Sequence, residues 1–192
     1  QESVESYNRA IASKHDYTEA LSKKGDAYYH LHDYKAAIEA YTAALNTDPK
    51  FFLAQKGIGE SLFALKDYTN AIANLESSIK AMESIKKYAN PKFLAEAYNT
   101  AGKSYYNQKA FDKAIQAFKN ALKKNTEYPE AHFNKGVASY QLGKYEESIS
   151  DLSKAIGYEK KNAIWYYHLA RAYQARKDYK NAVLNYTECI NN

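Results

Sequence analysis

The chain has 192 residues, 45% of them apolar, and its 27 Lys and Arg against 22 Asp and Glu leave a net charge of +5. One Cys excludes an internal disulfide framework and a cysteine-cluster zinc site. No apolar run approaches the roughly 18 residues of a membrane-spanning helix, the opening QESVESYNRA has no signal-peptide pattern, and the positive charge is not gathered into blocks, so neither membrane insertion nor nucleic-acid binding is expected. Only 7 Gly and 3 Pro beside 20 Tyr point to helices joined by short turns.

Gly25, Gly59, Gly102 and Gly136 stand 34, 43 and 34 residues apart, and Ala170 continues the spacing. Such a period signals repeat architecture. Twelve positions after each small residue comes another: Ala37, Ala71, Ala114, Ser148 and Ala182. Between them run aromatic and branched columns, Tyr34, Tyr68, Phe111, Tyr145 and Tyr179, then Ile38, Ile72, Ile115, Ile149 and Val183. From each Ala37-type residue the small and apolar positions recur at +1, +4, +7 and +8, one face of an α-helix. Each unit is therefore two helices whose backbones approach at the small residues. Asp33, Asp67 and Asp178 are placed to cap second helices, and Pro49, Pro91 and Pro129 fall between units.

In chain order, residues 1–17 read as the second helix of a truncated preceding unit, with Val4, Tyr7, Ala10 and Ile11 in its columns. Complete units follow at 18–51, 52–94, 95–128, 129–162 and 163–192. The second carries nine extra residues around 86–94, read as a lengthened second helix ended by Asn90-Pro91. All of this is expected to form one domain, a segment of a longer protein or one whose uncapped ends self-associate.

The motif ALSKKGDAYYHLHDYKAAIEAYTAALNTDP (20–49), with EAHFNKGVASYQLGKYEESISDLSKAI (130–156), resembles the tetratricopeptide repeat over nearly the whole chain. The Trp favoured early in the family's first helix is replaced by Leu21, Gln55, Tyr98, His132 and Tyr166. The resemblance implies an all-α right-handed superhelix of antiparallel helix pairs, whose concave face, lined by first helices, binds a peptide or partner helix. It implies a non-enzymatic adaptor or scaffold with a protein partner, or alternatively a regulatory or substrate-recruiting domain of a larger enzyme.

The free first-helix positions supply the candidate groove residues: Asn99, Lys103, Tyr106, Asn107, Phe133, Asn134, Tyr140, Gln141, Tyr167, His168 and Arg171. Tyr29, Phe63, Tyr106 and Tyr140 form an aromatic row, and Asp26, Glu60, Lys103, Val137 and Arg171 change from acidic to basic. The chaperone-binding members' carboxylate clamp finds only Asn99, Lys103, Asn134, Ile164 and His168 at its positions, which lack two of its cations, so a chaperone tail is not expected.

No catalytic residue, metal site or cofactor is expected. The five His show no i,i+4 pair, Gly57-Ile58-Gly59 lies inside a helix pattern, and Cys189 reads as a buried small hydrophobe. One Cys fits the cytoplasm first, and also a bacterial periplasm or secretion apparatus.

Overall fold

The computed structural model describes residues 4–6, 18–84, 90–160 and 162–192. Its ordered elements there are all helices: α1 (Thr18–His30), α2 (Tyr34–Thr47), α3 (Phe52–Ala64), α4 (Tyr68–Ser84), α5 (Pro91–Asn107), α6 (Phe111–Lys124), α7 (Pro129–Gln141), α8 (Tyr145–Tyr158), α9 (Ala163–Ala175) and α10 (Tyr179–Asn191). Among the described residues there is no strand. Most of the half repeat expected at 1–17, and residues 86–89 of the insertion expected around 86–94, lie outside the described residues.

Contacts divide the chain into two compact units, residues 1–104 and 105–192, with the boundary inside α5. In the first unit, Tyr41, Ala37, Ala44, Ala54 and Ile58 form one core cluster, and Leu75, Ile79, Met82, Leu94, Ala97 and Ala101 form another. In the second unit, Ile115 and Phe118 pack with Ala114 and Ala138, while Ile149, Leu152, Leu169 and Ala172 build the next layer. First helices also touch directly, α1 with α3 and α7 with α9.

The small-residue columns set the helix spacing. A Cβ added at Gly59 would lie 2.6 Å from Leu75 Cγ and 3.2 Å from the Ala71 carbonyl oxygen. At Gly136 the same positions recur, 2.7 Å from Leu152 Cγ and 3.1 Å from the Ser148 carbonyl oxygen. Gly25 and Gly57 flank the ring of Tyr41 instead. Ser148 stands where other units have Ala, and its buried hydroxyl has no hydrogen-bond partner.

The five turns within helix pairs all use one device. His32, Lys66, Lys109, Gly143 and Lys177 all have positive φ, between 60° and 72°. Around His32 its N–H donates to the Tyr29 carbonyl and that of Asp33 to the Tyr28 carbonyl, the double closure of a Schellman cap, and the other four turns repeat it. Asp33, Asp67 and Asp178 then accept from the N–H three residues on, at 3.1, 3.3 and 3.2 Å, as their spacing suggested. Ala110 and Lys144 supply no side-chain cap.

Two sequence readings are corrected. Pro91 is the first residue of α5, ahead of the start expected at 95: the Asn90 side chain accepts the Lys92 N–H at 2.9 Å, and a proline at the first helical position loses no helical bond, while the expected end of the preceding helix lies outside the described residues. The first helix of the third repeat thus starts four residues before position 95. Cys189 is partly exposed, not buried.

Gly59→Ala and Gly136→Ala should each lower stability by about 1–3 kcal/mol through overpacking. Gly157→Ala, with open space around the Cβ, and Ser148→Ala, which removes an unsatisfied hydroxyl, should be neutral or stabilising by up to about 1 kcal/mol. Urea unfolding of the four variants measures this, and similar losses in all four would contradict the assigned close approach.

Candidate functional site

In the first unit the faces of α1, α3 and α5 enclose a groove of about 810 Å³. Glu19, Ser22, Lys23, Asp26, Tyr29 and His30 line it from α1, Leu53, Lys56, Gly57 and Glu60 from α3, and Lys92, Phe93 and Glu96 from α5. Tyr41 and Phe51 close its floor. Most of these α1 and α3 positions are those the repeat leaves free of the core. Tyr41, Phe51, Lys92 and Phe93 escaped the sequence reading, Tyr41 because it occupies a core column and Lys92 and Phe93 because α5 starts early.

Its charges are mutually compensated. Lys56 Nζ lies 2.8 Å from Glu60 and 3.1 Å from Glu96, and these two carboxylates outweigh the burial that would by itself lower its pKa, so the ammonium is held above its usual range. Asp26 accepts from the Tyr41 hydroxyl at 2.8 Å and pairs with Lys23 at 3.0 Å. Burial first, and then the Asp26 charge, push the Tyr41 phenol well above its normal range.

The aromatic row has a structural job. Tyr29, Phe63, Tyr106 and Tyr140 each pack on the ring that opens their own second helix, Tyr34, Tyr68, Phe111 and Tyr145, at centroid distances of 5.4, 5.8, 5.3 and 5.6 Å. The rings therefore clasp the turns. Two of these rings also meet a cation from the next first helix: Lys103 Nζ sits 4.7 Å from the Phe63 centroid, and Arg171 Cζ 4.9 Å from that of Tyr140.

Of the eleven candidate residues, Asn99 and Lys103 belong to the first unit and the other nine to the second. Asn99, at 4% exposure, is buried rather than lining an open face. In the second unit Gln141 Nε2 donates to the Tyr106 hydroxyl at 3.0 Å. Phe133 stacks on Trp165 with centroids 5.5 Å apart and meets the His168 ring edge-on at 5.3 Å. Burial, then the nearby Arg171, lower the His168 pKa, so its ring carries no charge near neutrality. Tyr167 borders both His168 and Arg171. Asn107 and Asn134 make contacts of their own and are not idle donors.

His132, one of the residues standing where the family favours Trp, belongs to a buried polar cluster. Its Nε2 lies 3.1 Å from the Thr126 carbonyl and its Nδ1 3.5 Å from Asp151 Oδ1, while Lys135 Nζ reaches Asp151 at 2.9 Å. Among the described residues no group of three or more His, Cys, Asp and Glu could hold a metal ion, and no helix is long and apolar enough to cross a membrane.

Family models described as tetratricopeptide repeats match residues 1–50 and 22–81, residues 129–162 and 166–191, and, as a TPR repeat, residues 102–143. Among curated proteins, Hsp70-Hsp90 organizing protein 2 of Arabidopsis thaliana is 24% identical over 179 residues, covering 87% of this chain and 27% of that protein. Protein O-mannosyl-transferase TMTC1 of Homo sapiens is 26% identical over 180 residues, covering 78% and 20%. The chain thus spans about a quarter or less of these relatives' length. Among solved structures, a MamA crystal structure has a TM-score of 0.76 at 22% identity, covering 87% of this chain and 92% of that one. YrrB, described as a TPR protein with an unusual peptide-binding site, has a TM-score of 0.78 at 16% identity, covering 98% and 92%.

Burial would raise the Asp151 pKa, but its hydrogen bonds with His132 and Lys135 and the Lys135 charge hold it below the usual carboxylate value. A folded pKa below the unfolded one means that this stabilisation is present above about pH 3.9 and is lost as pH falls through the folded value. Lys135→Met should cost about 2 kcal/mol at pH 7, between an exposed and a fully buried pair, and much less near pH 2. Thermal melts across this range test it, and a loss independent of pH would contradict the ion pair. The five repeated turn caps, the recurrent close approaches and the matches along the sequence lead to one conclusion: the chain belongs to the tetratricopeptide-repeat family.

Proposed function

We propose that this chain is a non-enzymatic protein-binding module that docks a peptide or a partner's helix on the faces built by its first helices. The observation that carries this reading is the first unit's groove of about 810 Å³, lined by aromatic rings and compensated charges in the manner of a ligand-sized cleft. In the second unit the corresponding face offers Phe133, Asn134, Tyr140, Gln141, Tyr167, His168 and Arg171. Rings give rigid contact area at low entropic cost, and amides can bond an extended backbone in both directions.

An adaptor role agrees with the likeness to a protein named as an organiser of Hsp70 and Hsp90. A chaperone tail is not the proposed ligand, since the two cation positions hold Ile164 and an uncharged His168. The likeness to part of an O-mannosyl-transferase supports the second reading, a recruiting segment attached to an enzyme.

Peptide-array binding to the whole chain tests the docking surface. Glu60→Ala and Phe93→Ala in the first unit, or Phe133→Ala and Asn134→Ala in the second, should weaken bound peptides tenfold or more, corresponding to about 1.4 kcal/mol. Lys154→Ala, an exposed change on a second helix, should stay within twofold. Equal losses at Lys154 and at the first-helix positions would place docking on another surface.

A further inference from the structure

Arg171 is the conspicuous cation of the second unit's first-helix face. Its Cζ stands 4.9 Å from the Tyr140 centroid and 5.7 Å from that of Tyr167, a ring left 44% exposed. Rings against a guanidinium's faces leave its N–H edges pointing outward, and those planar donors match a carboxylate in a two-bond fork.

Among the described residues no acceptor takes that role. Lys135 is paired with Asp151, Lys144 with Asp112 and Arg176 with Asp178, whereas among the described residues no carboxylate lies within ion-pair distance of Arg171. Burial, then Arg171 itself, lower the pKa of the neighbouring His168 and favour its neutral ring, so Arg171 is the main local source of positive charge. The wider field has the same sign. Residues 105–192 contain 14 Lys and Arg against 9 Asp and Glu, whereas residues 1–104 contain 13 of each, so the whole +5 resides in the second unit.

We infer that the first-helix face of the second unit selects an acidic peptide segment, with the carboxylate of a Glu or Asp side chain seated on Arg171 between Tyr140 and Tyr167. This deepens the peptide-docking reading above and rests on it. Tyr140 and Tyr167 act as positioning residues for the guanidinium. Phe133, stacked on the buried Trp165 beside His168, offers apolar surface next to the charged seat.

The test is a positional-scanning peptide array probed with the whole chain, each position sampling Glu, Gln, Lys and phosphoserine, with affinities of selected peptides measured by fluorescence anisotropy. The expected result is one position at which Glu is preferred to Gln by about tenfold, with the preference shrinking at high salt. Arg171→Gln should reduce it to threefold or less, and Arg171→Lys should restore charge preference in part, because an ammonium keeps the charge but not the fork. Lys154→Gln should leave it unchanged, and melting curves of each variant check folding. The inference is overturned if Gln or Lys serves as well as Glu, if phosphoserine alone is selected, or if the Glu preference survives Arg171→Gln. If peptides bind without charge preference but are lost on Phe133→Ala or Asn134→Ala, this inference fails while the docking reading stands. If no peptide binds, or binding ignores those two changes and those in the first unit's groove, both fail.

Discussion

The helices of each pair lie close because one column of the sequence holds only the smallest residues, glycine in four units and Ala170 in the fifth. Gly59 and Gly136 meet the same partners, a leucine Cγ and a backbone carbonyl twelve residues on, at distances where a methyl group does not fit. Close approach brings the second helix's leucine or phenylalanine into the pair, so that Leu75, Phe118 and Leu152 are almost wholly buried. With the second helix committed to that packing, the outward face of the first helix is left to meet other molecules. The docking surface proposed above is therefore a consequence of the packing solution.

Much of this was legible in the sequence because the constraint repeats. A single Gly or Ala is weak evidence, but five copies in register fix the helix face, the pairing and the turn positions. The N-cap role of Asp33, Asp67 and Asp178 followed from local chemistry alone. The start of α5 did not, because Asn90-Pro91 can end one helix or open another, and the choice depends on packing of Phe93 and Leu94 that the pattern does not encode. The positive φ at His32, Lys66, Lys109 and Lys177 was also hidden: only Gly143 announces it, while the other four are held there by the two hydrogen bonds of the cap.

The candidate site was legible as positions and less so as roles. Its aromatic row reads as a recognition surface, yet those rings clasp the turns, a contact between columns five residues apart that a column-by-column reading does not join. The acidic-to-basic column is better explained by what each charge meets. Asp26 is taken by Tyr41 and Lys23, and Glu60 by Lys56, so the first unit arrives neutralised. Among the described residues Arg171 meets only rings, and the proposed difference between the two units' ligands rests on that contrast.

The account stands on the claim that steric approach at the small column governs the pairing, and a double-mutant cycle between Gly59→Ala and Leu75→Ala tests it most directly. If Leu75 Cγ is the atom the new methyl group strikes, Gly59→Ala should cost less than half as much once Leu75 is shortened, giving a coupling of about 1 kcal/mol in urea unfolding. Costs that add to within about 0.5 kcal/mol would show that the two positions do not meet, and would contradict the account.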